Sequence, residues 1–420
     1  MAERQLPKLH TWVRFPSPAP YFPLLTVYTQ GRIVNRTLIN NLNRRLLENL
    51  RNNTTDKTGT EGRIAATEFG CAETLARERQ ALFINTPQPV AFSGEIPEPG
   101  NFLALQVLDI PVLLTRDENG KLRAFINACS HRGAQVANGA GQARSLVCPF
   151  HGWAYAMDGS LRGRPDDECF STPREACSLT SLAVSEKYGI VVVAISVDVA
   201  QVDVDNALVE IGKHLEGFGF EHYRTLERRL FNVAANWKLV SDLSLESYHF
   251  KTLHRDSVAQ ILAPNAVVDT FGRHSLWAFP FKTITTLAEL DEESWPESIQ
   301  GSMTFTLYPG VMFVINALGA QMIRAEPGQR PGESRVTFVG VSGNNCDVEQ
   351  ARKAYEFGGD VFAREDLPVA EECQLGLTAG GRDLLLGKNE PLLHFWHQLW
   401  RAAVLSITPT EAETAVVIPE

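Results

Sequence analysis

The sequence predicts an α+β fold: an N-terminal helical extension, a small antiparallel β unit, and a unit whose helices flank an antiparallel sheet in a helix-grip-like arrangement. Three observations predict it. Leucines recur at helical spacing before residue 65, short β-branched runs with turn dipeptides follow to about residue 200, and strands alternate with helical segments beyond it. A chain of 420 residues suits two or three domains. We place their bounds at 1–65, 66–200 and 201–420.

The extension contains an amphipathic helix over residues 37–51. Its leucines at 38, 42, 46 and 47 share one helical face. The polar stretch 52–62 has the composition of a linker.

The β unit is indicated by short apolar runs that are separated by turn signals. Asn119-Gly120 is a strong hairpin signal between two such runs, and Asp158-Gly159 is a second one. These turns predict a mostly antiparallel sheet with short connections.

The last unit begins with a helix predicted over 203–215. Strands are predicted within 303–316 and 335–343, and a helical C-terminus follows from about 347. Between them lies the segment 236–254, which carries the second group of candidate functional residues.

Composition excludes several classes of protein. The formal net charge of -10 disfavours nucleic acid as a partner, because phosphate binding needs a basic surface. No apolar run is long enough to span a membrane, and the N-terminus lacks the apolar core of a signal peptide. Seven scattered cysteines do not form a disulfide pattern, so we expect a cytoplasmic protein.

Four residues form the pattern CxH…CxxH, namely Cys129 and His131 followed after sixteen residues by Cys148 and His151. One cysteine and one histidine in each of two loops suit an asymmetric [2Fe-2S] cluster, with both thiolates on one iron and both imidazoles on the other. Neutral imidazoles bring less negative charge than thiolates, so such a cluster has a raised reduction potential. Tetrahedral zinc is the alternative for the same four ligands.

The sequence around these ligands, CSHRG at 129–133 and CPFHGWAY at 148–155, resembles the Rieske domain. Trp153 lies within the second motif and is either part of the core or a shield for the cluster. The resemblance favours the iron–sulfur cluster over zinc.

A second group of candidate ligands lies in ESYHFKTLH at 246–254. Asp242, Glu246 and His249 would share one face of a regular helix, whereas His254 would be rotated away from it. Both imidazoles can bind one metal only if the helix breaks between them, and we predict the break near Lys251-Thr252. Two histidines and a carboxylate are the facial triad that binds non-haem Fe(II).

The third ligand must come from elsewhere in the chain. Asp366 in REDLPVAEECQLG at 364–376 is the best candidate, and its neighbour Glu365 is the alternative. The acidic residues of this segment could instead form a solvated helix face.

Both constellations together resemble the Rieske non-haem iron oxygenases, specifically the catalytic alpha subunits of aromatic ring-hydroxylating and quaternary-ammonium enzymes. NWK at 236–238, the acid three residues before His249, and EDxxxxExxQxG near the C-terminus carry this resemblance. It implies a Rieske cluster, a mononuclear Fe(II), O2 as co-substrate, and NAD(P)H electrons delivered through a ferredoxin or flavin reductase. It also implies a homotrimer, in which Glu246 bridges a histidine of one subunit's cluster to His249 of its neighbour.

Two departures from the family pattern bear on the substrate. Many aromatic-ring members have Asp at the bridging position, whereas Glu246 is similar to the branch that includes carnitine and choline monooxygenases. The residue after Asp242 is Leu243, whereas family members often have an asparagine at this position.

We therefore predict an oxygenase component that hydroxylates a small organic substrate as a monooxygenase or demethylase. The alternatives are an alpha subunit of a ring cis-dihydroxylating dioxygenase, and a Rieske electron-transfer protein without oxygenase activity.

Overall fold

The structure is a computed structural model that describes residues 35–344 and 346–406. Residues 1–34, residue 345 and residues 407–420 lie outside the described residues. The first described elements are the helix α1 (Arg36–Arg51), the strand β1 (Gly62–Ile64) and the helix α2 (Ala72–Glu78).

Helix α1 matches the predicted amphipathic helix. The side chain of Asn35 caps it by accepting a hydrogen bond from Leu38 N at 3.1 Å. Its buried face includes Leu42 and Leu46, which have 0% exposure. Each buried leucine contributes about 1.5–3 kcal/mol to stability, so the helix is held by packing.

Residues 86–195 form the β unit. Its strands are β2 (Gln88–Phe92), β3 (Asn101–Val107), β4 (Ile110–Arg116), β5 (Leu122–Ile126), β6 (Ala140–Gln142), β7 (Leu146–Val147), β8 (Ala154–Tyr155), β9 (Leu161–Gly163), β10 (Ser181–Leu182), β11 (Val184–Lys187) and β12 (Ile190–Val193).

These strands form three antiparallel sheets, in the orders β10-β5-β4-β3-β6, β11-β12-β2 and β7-β8-β9. Asn119-Gly120 connects β4 to β5, and Asp158-Gly159 connects β8 to β9, as predicted. Gly120 and Gly159 have φ of 76° and 85°, the left-handed conformation that glycine adopts readily.

The C-terminal unit begins with α3 (Gln201–Asn206), α4 (Gly212–Leu215), β13 (Arg224–Val233), α5 (Trp237–Asp242) and α6 (Val258–Ile261). Its remaining strands are β14 (Val267–Phe271), β15 (His274–Pro280), β16 (Gly301–Leu307), β17 (Val311–Asn316), β18 (Gly319–Pro327) and β19 (Ser334–Ser342). It ends with α7 (Val348–Val361), α8 (Leu367–Thr378), β20 (Leu384–Leu386) and α9 (Pro391–Leu405).

Shorter helical turns connect these elements. The 3-10 turns are Ala66–Phe69, Ser93–Glu95, Asp167–Cys169, Arg174–Cys177, Phe220–His222, Tyr248–Lys251, Lys282–Glu289 and Glu292–Ser294. Two turns have π-helical geometry, Arg79–Ile84 and Phe362–Asp366.

The centre of this unit is a seven-stranded antiparallel sheet in the order β13-β19-β18-β17-β16-β15-β14. Alternate residues of each strand point to opposite faces. On β15, Trp277 and Phe279 belong to the core shared with α5, α8 and α9, while Leu276 and Ala278 pack on the side of α1. The fold therefore agrees with the predicted β unit followed by an antiparallel sheet flanked by helices.

The two units meet at the turn between β3 and β4. The fully buried carboxylate of Glu326 accepts a hydrogen bond from Leu108 N at 2.9 Å, and Arg335 donates to Leu108 O. Arg324 Nη2 donates to Gln106 O at 2.8 Å. Because a buried carboxylate is costly without such partners, these contacts fix the position of the β unit on the sheet.

Candidate active site

The two loops of the CxH…CxxH pattern have matching backbone geometry. Cys129 N donates to Ala134 O and Cys148 N donates to Trp153 O, both at 2.8 Å. In each loop the glycine four residues after the cysteine donates back to that cysteine's carbonyl, and Gly133 and Gly152 have φ of 76° and 74°. A residue with a side chain would be strained there, which explains both glycines.

The side chains of the four candidate ligands face one another. Both cysteines are buried, and the imidazole centroids of His131 and His151 are 4.6 Å apart. Each imidazole has a buried Nδ1 without a hydrogen-bond partner. Buried nitrogens without partners are costly in a protein interior, and metal ligation satisfies them. The donor set of two thiols and two imidazoles therefore fits a cluster with two unlike irons.

Tyr155 completes this first site. Its hydroxyl lies 3.1 Å from Cys129 Sγ and accepts a hydrogen bond from Ser130 N at 3.0 Å. Burial, and then the contact with Cys129, raise the pKa of Tyr155, so the phenol stays protonated and can donate to the sulfur. The sequence placed Tyr155 inside the motif but gave no signal for this role.

The second group of candidate ligands lies where regular helix ends. Helix α5 ends at Asp242, and the 3-10 turn that carries His249 ends at Lys251, with Thr252 as its last boundary residue. The predicted break near Lys251-Thr252 is confirmed. Asp242, Glu246 and His249 do not share one regular helix, because α5 ends before Glu246.

The break brings His249, His254 and Asp366 together. Their ligand atoms all lie within 4.8 Å of one another. The Nε2 atoms of the two histidines are 3.1 Å apart, and Asp366 Oδ1 lies 3.2 Å from His254 Nε2 and 3.8 Å from His249 Nε2. Two ligands at right angles on one metal, each bonded at about 2.1 Å, are about 3 Å apart.

A further carboxylate lies at Nδ1 of each of the two imidazoles. Glu246 accepts a hydrogen bond from His249 Nδ1, and Glu365 accepts one from His254 Nδ1 at 2.7 Å. A carboxylate only accepts hydrogen bonds, so each Nδ1 carries the proton and each Nε2 is left with a lone pair.

The two Nε2 lone pairs and Asp366 Oδ1 therefore converge on one point, and Asp366 Oδ1 is buried without a hydrogen-bond partner. Three acceptors this close repel one another unless a cation lies between them. Without a metal, a second proton on His254 can serve as this cation. Burial lowers the pKa of His254, but Asp366 and Glu365 raise it to about 9. The site fits a mononuclear metal ion.

A wide turn positions both acidic residues of the distant segment. Glu365 and Asp366 lie in the π-helical turn Phe362–Asp366 between α7 and α8. Single π turns within helices are frequent at functional sites. The turn lets consecutive side chains contact the same imidazole, Glu365 at Nδ1 and Asp366 at Nε2.

Comparison with known proteins identifies both parts of the chain. Residues 86–182 match the Rieske [2Fe-2S] domain, and residues 217–406 match the family described as ring hydroxylating alpha subunit (catalytic domain). The chain belongs to the Rieske non-haem iron oxygenases. It is an oxidoreductase that uses a [2Fe-2S] cluster, a non-haem iron, O2 and electrons from a reductase. The prediction of an oxygenase is confirmed, and neither a zinc module nor a pure electron carrier agrees with these matches.

Curated relatives of the oxygenase include monooxygenases and a dioxygenase. The carnitine monooxygenase oxygenase subunit of Acinetobacter pittii is 26% identical over 323 residues, which are 74% of this chain and 84% of that protein. The glycine betaine monooxygenase oxygenase subunit of Pseudomonas aeruginosa is 30% identical over 203 residues, 48% of this chain and 47% of that protein. The anthranilate 1,2-dioxygenase large subunit of Acinetobacter baylyi is 28% identical over 206 residues, 47% of this chain and 44% of that protein.

Solved structures share the fold of the oxygenase. A quaternary ammonium Rieske monooxygenase in complex with L-carnitine superposes with a TM-score of 0.69 at 21% identity, covering 81% of this chain and 95% of that one. The naphthalene 1,2-dioxygenase of Rhodococcus sp. superposes with a TM-score of 0.68 at 17% identity, covering 88% and 99%.

Further polar residues of the oxygenase lie beside Glu246. Asp242 accepts a hydrogen bond from Nε2 of the buried His397, which belongs to α9, at 2.9 Å. Burial, and then the nearby charges of Glu246 and Asp242, raise the pKa of Glu390. Sequence reasoning missed His397 and Glu390, since nothing in the chain order links α9 to the histidine segment.

Buried aromatic side chains lie beside the histidines. The ring of Phe250 is 5.7 Å from that of His254, and Phe279 is 5.0 Å from Phe250. Trp277 is 4.6 Å from Phe279. The sheet thus presents an aromatic group to the helices that carry the candidate iron ligands.

Within the described part of the chain, none of the helices combines the length and the apolar character that crossing a membrane requires.

Proposed function

We propose that this oxygenase hydroxylates a small quaternary-ammonium compound as a monooxygenase. The proposal assigns the mononuclear iron to His249, His254 and Asp366, and the cluster to Cys129, His131, Cys148 and His151. The observation that carries it is the convergence of three acceptors, His249 Nε2, His254 Nε2 and Asp366 Oδ1, while a carboxylate accepts a hydrogen bond from each Nδ1.

An iron ion held by these three residues would activate dioxygen beside a substrate. Glu365 keeps His254 in the tautomer that ligates through Nε2, and Ser257 Oγ donates to the same Glu365 oxygen at 2.7 Å. The buried aromatic group of Phe250, Trp277 and Phe279 excludes water from this side of the histidines.

Electrons are proposed to enter through Glu246, from the cluster of a neighbouring subunit in a homotrimer. Glu246 lies near the surface, with 11% of its side chain exposed, beside Tyr248, which is 69% exposed. At the first site, the exposed Phe150 packs against His151, with ring centroids 3.8 Å apart, and would contact such a surface. For the solved quaternary ammonium monooxygenase, inter-subunit electron transfer has been described.

The substrate class rests on three kinds of support. Glu246 at the bridge is similar to the quaternary-ammonium branch, and curated relatives act on carnitine and glycine betaine, as their names state. The aromatic faces of Trp277, Phe279 and Phe250 suit a methylated ammonium, which cation–π attraction stabilises. Ring cis-dihydroxylation is less well supported, because the anthranilate dioxygenase subunit matches 47% of this chain whereas the carnitine monooxygenase subunit matches 74%.

The proposed reaction inserts one oxygen atom of O2 into a C–H bond of the substrate. The other oxygen atom leaves as water and takes up two electrons and two protons. Hydroxylation of a carbon bonded to nitrogen gives a carbinol that can break its C–N bond, which is how demethylation would follow. The electrons come from NAD(P)H through a ferredoxin or flavin reductase.

We also propose a cytoplasmic location, because none of the seven cysteines forms a disulfide in the structure, which suits a reducing compartment.

Substrate-dependent oxygen consumption tests the reaction. Purified oxygenase with a surrogate reductase should couple NADH and O2 consumption to L-carnitine, γ-butyrobetaine or glycine betaine, in a one-to-one ratio with hydroxylated or demethylated product. Coupling to anthranilate or naphthalene with formation of a cis-diol would overturn the monooxygenase proposal.

Glu246→Gln tests the electron path. The neutral amide still accepts a hydrogen bond from His249 Nδ1, so both iron centres should load at saturating Fe(II), while turnover falls on the order of 100-fold. Iron content, cluster absorption and steady-state rate measure this. Asp256→Asn, which changes an exposed carboxylate ten residues further on, is the matched control and should keep full activity. A Glu246→Gln enzyme with wild-type turnover would remove Glu246 from the path.

A further inference from the structure

A buried cation lies behind one of the proposed cluster ligands. The indole of Trp153 stacks on the imidazole of His131, with centroids 4.9 Å apart and planes only 3° from parallel. Trp153 is 4% exposed, and Phe170 packs edge-on against it at 5.4 Å. Trp153 is therefore in direct contact with the cluster site, as well as being part of the core.

The guanidinium of Arg164 packs against this stack. Its Cζ lies 5.3 Å from the Trp153 ring centroid and 4.4 Å from that of Phe170. Only 3% of the Arg164 side chain is exposed. Arg164 Nη2 donates to Thr172 O at 2.7 Å, and Nε donates to Asp167 Oδ1 at 2.5 Å, so the charged group is held in one place.

The charges of this pair are screened unequally. The Asp167 side chain is 37% exposed and also pairs with Arg174 at 2.8 Å, so water and a second cation weaken its field. Arg164 lies inside, next to the buried ring of Trp153 and the partly buried ring of Phe170. Because a low-dielectric environment screens charge poorly, the cation dominates the field toward His131.

A net positive field favours the reduced cluster, which carries one more negative charge than the oxidised cluster. Cluster potentials depend on net charge, hydrogen bonds and solvent exposure. Arg164 changes the net charge near the cluster, and the stacked ring of Trp153 reduces the solvent exposure of the cluster.

We propose that the buried guanidinium of Arg164, packed against Trp153, raises the reduction potential of the cluster. The inference rests on the proposed ligation of the cluster by His131. Arg164 then makes electron acceptance from the reductase easier.

Spectroelectrochemical titration of the full-length, cluster-loaded protein tests this. In Arg164→Gln, the ratio of reduced to oxidised cluster at a fixed solution potential should fall about threefold or more, about 28 mV for a one-electron couple. Arg164→Lys keeps the charge and should recover most of that loss. Asp167→Asn removes the counter-charge and should shift the ratio in the opposite direction.

Arg162→Gln is the matched control, because it removes an exposed cation two residues away and should leave the potential unchanged. A local disturbance of the structure would not shift the reduction potential in opposite directions in Arg164→Gln and Asp167→Asn. Should Arg164→Gln fail to assemble a cluster, Arg164→Met, which keeps an unbranched side chain against Trp153 and removes the charge, should show the same fall in potential, and an unchanged potential in it would overturn the inference.

Equal potentials in wild type, Arg164→Gln and Asp167→Asn, with normal iron and sulfide content, would overturn this inference and leave the proposed function intact. Absence of a cluster from the wild-type protein would instead overturn the proposed function.

Discussion

Glu246 and Glu365 perform the same task for different histidines. Each accepts a hydrogen bond from Nδ1 of one imidazole and so directs the Nε2 lone pair to the point that Asp366 Oδ1 also faces. Outer carboxylates of this kind orient metal ligands and make them more basic. The two differ in their further contacts: Glu246 lies two residues from the exposed Tyr248, while Glu365 also accepts a hydrogen bond from Ser257.

Glu365→Gln should therefore weaken iron binding without changing the ligands. The amide cannot offer a charged acceptor to His254 Nδ1, so we expect Fe(II) affinity at the mononuclear site to fall about 10-fold. Equilibrium dialysis of Fe(II) against the cluster-loaded protein measures this. Glu372→Gln, at an exposed position of the same helix, should bind iron as the wild type does. Unchanged affinity in Glu365→Gln would mean that Glu365 does not hold His254.

The candidate ligands were predictable from the sequence because each belongs to a short motif with its own chemistry. Cys129 and His131 are two residues apart, and the spacing between His249 and His254 required a break that the structure contains. The role of Glu365 was not predictable, since it depends on a π turn that periodicity does not reveal. His397 lies 155 residues from Asp242, and no local pattern marks that pair.

At the scale of elements, the wide turn Phe362–Asp366 between α7 and α8 has the clearest functional consequence. In a regular α-helix consecutive side chains diverge by about 100°. The π turn relaxes this, so that Glu365 and Asp366 contact opposite nitrogens of His254.

Deletion of Arg364 should therefore remove mononuclear iron selectively. Shortening the turn by one residue favours regular helix, and at least one carboxylate then leaves His254. Iron affinity should fall about 10-fold to 100-fold, while the visible spectrum of the cluster and the far-UV circular dichroism stay unchanged. Arg364→Ala keeps the turn length and loses only a surface ion pair with Asp360, so it should load iron fully. A deletion variant with normal iron content would show that the turn is dispensable.

Elements were predictable where local signals agreed with packing. Helix α1 and the hairpin at Asn119-Gly120 formed as predicted, because leucine spacing and turn chemistry suffice for them. The helix predicted over 203–215 is instead split into α3 and α4. Tyr188 packs so closely on Gly212 that a Cβ there would lie 2.2 Å from its hydroxyl. A tertiary contact of this kind cannot be read from periodicity.

At the scale of the whole molecule, one sheet separates two layers. The face of β15 that carries Trp277 and Phe279 looks toward the helices with the histidines, and the opposite face packs on α1. Glu326 and its partners at Leu108 join the cluster-bearing unit to this sheet. The order of units was predictable from composition, but this junction was not, because its buried charges lie far apart in the chain.

The central claim is that one polypeptide binds iron at two unlike centres. Iron and acid-labile sulfide, measured together on purified protein, test it most directly. We expect about three irons and about two sulfides per chain, and about two of each in Asp366→Ala with an unchanged cluster spectrum. Colourless protein that lacks labile sulfide, or an Asp366→Ala variant with the full iron content, would contradict it.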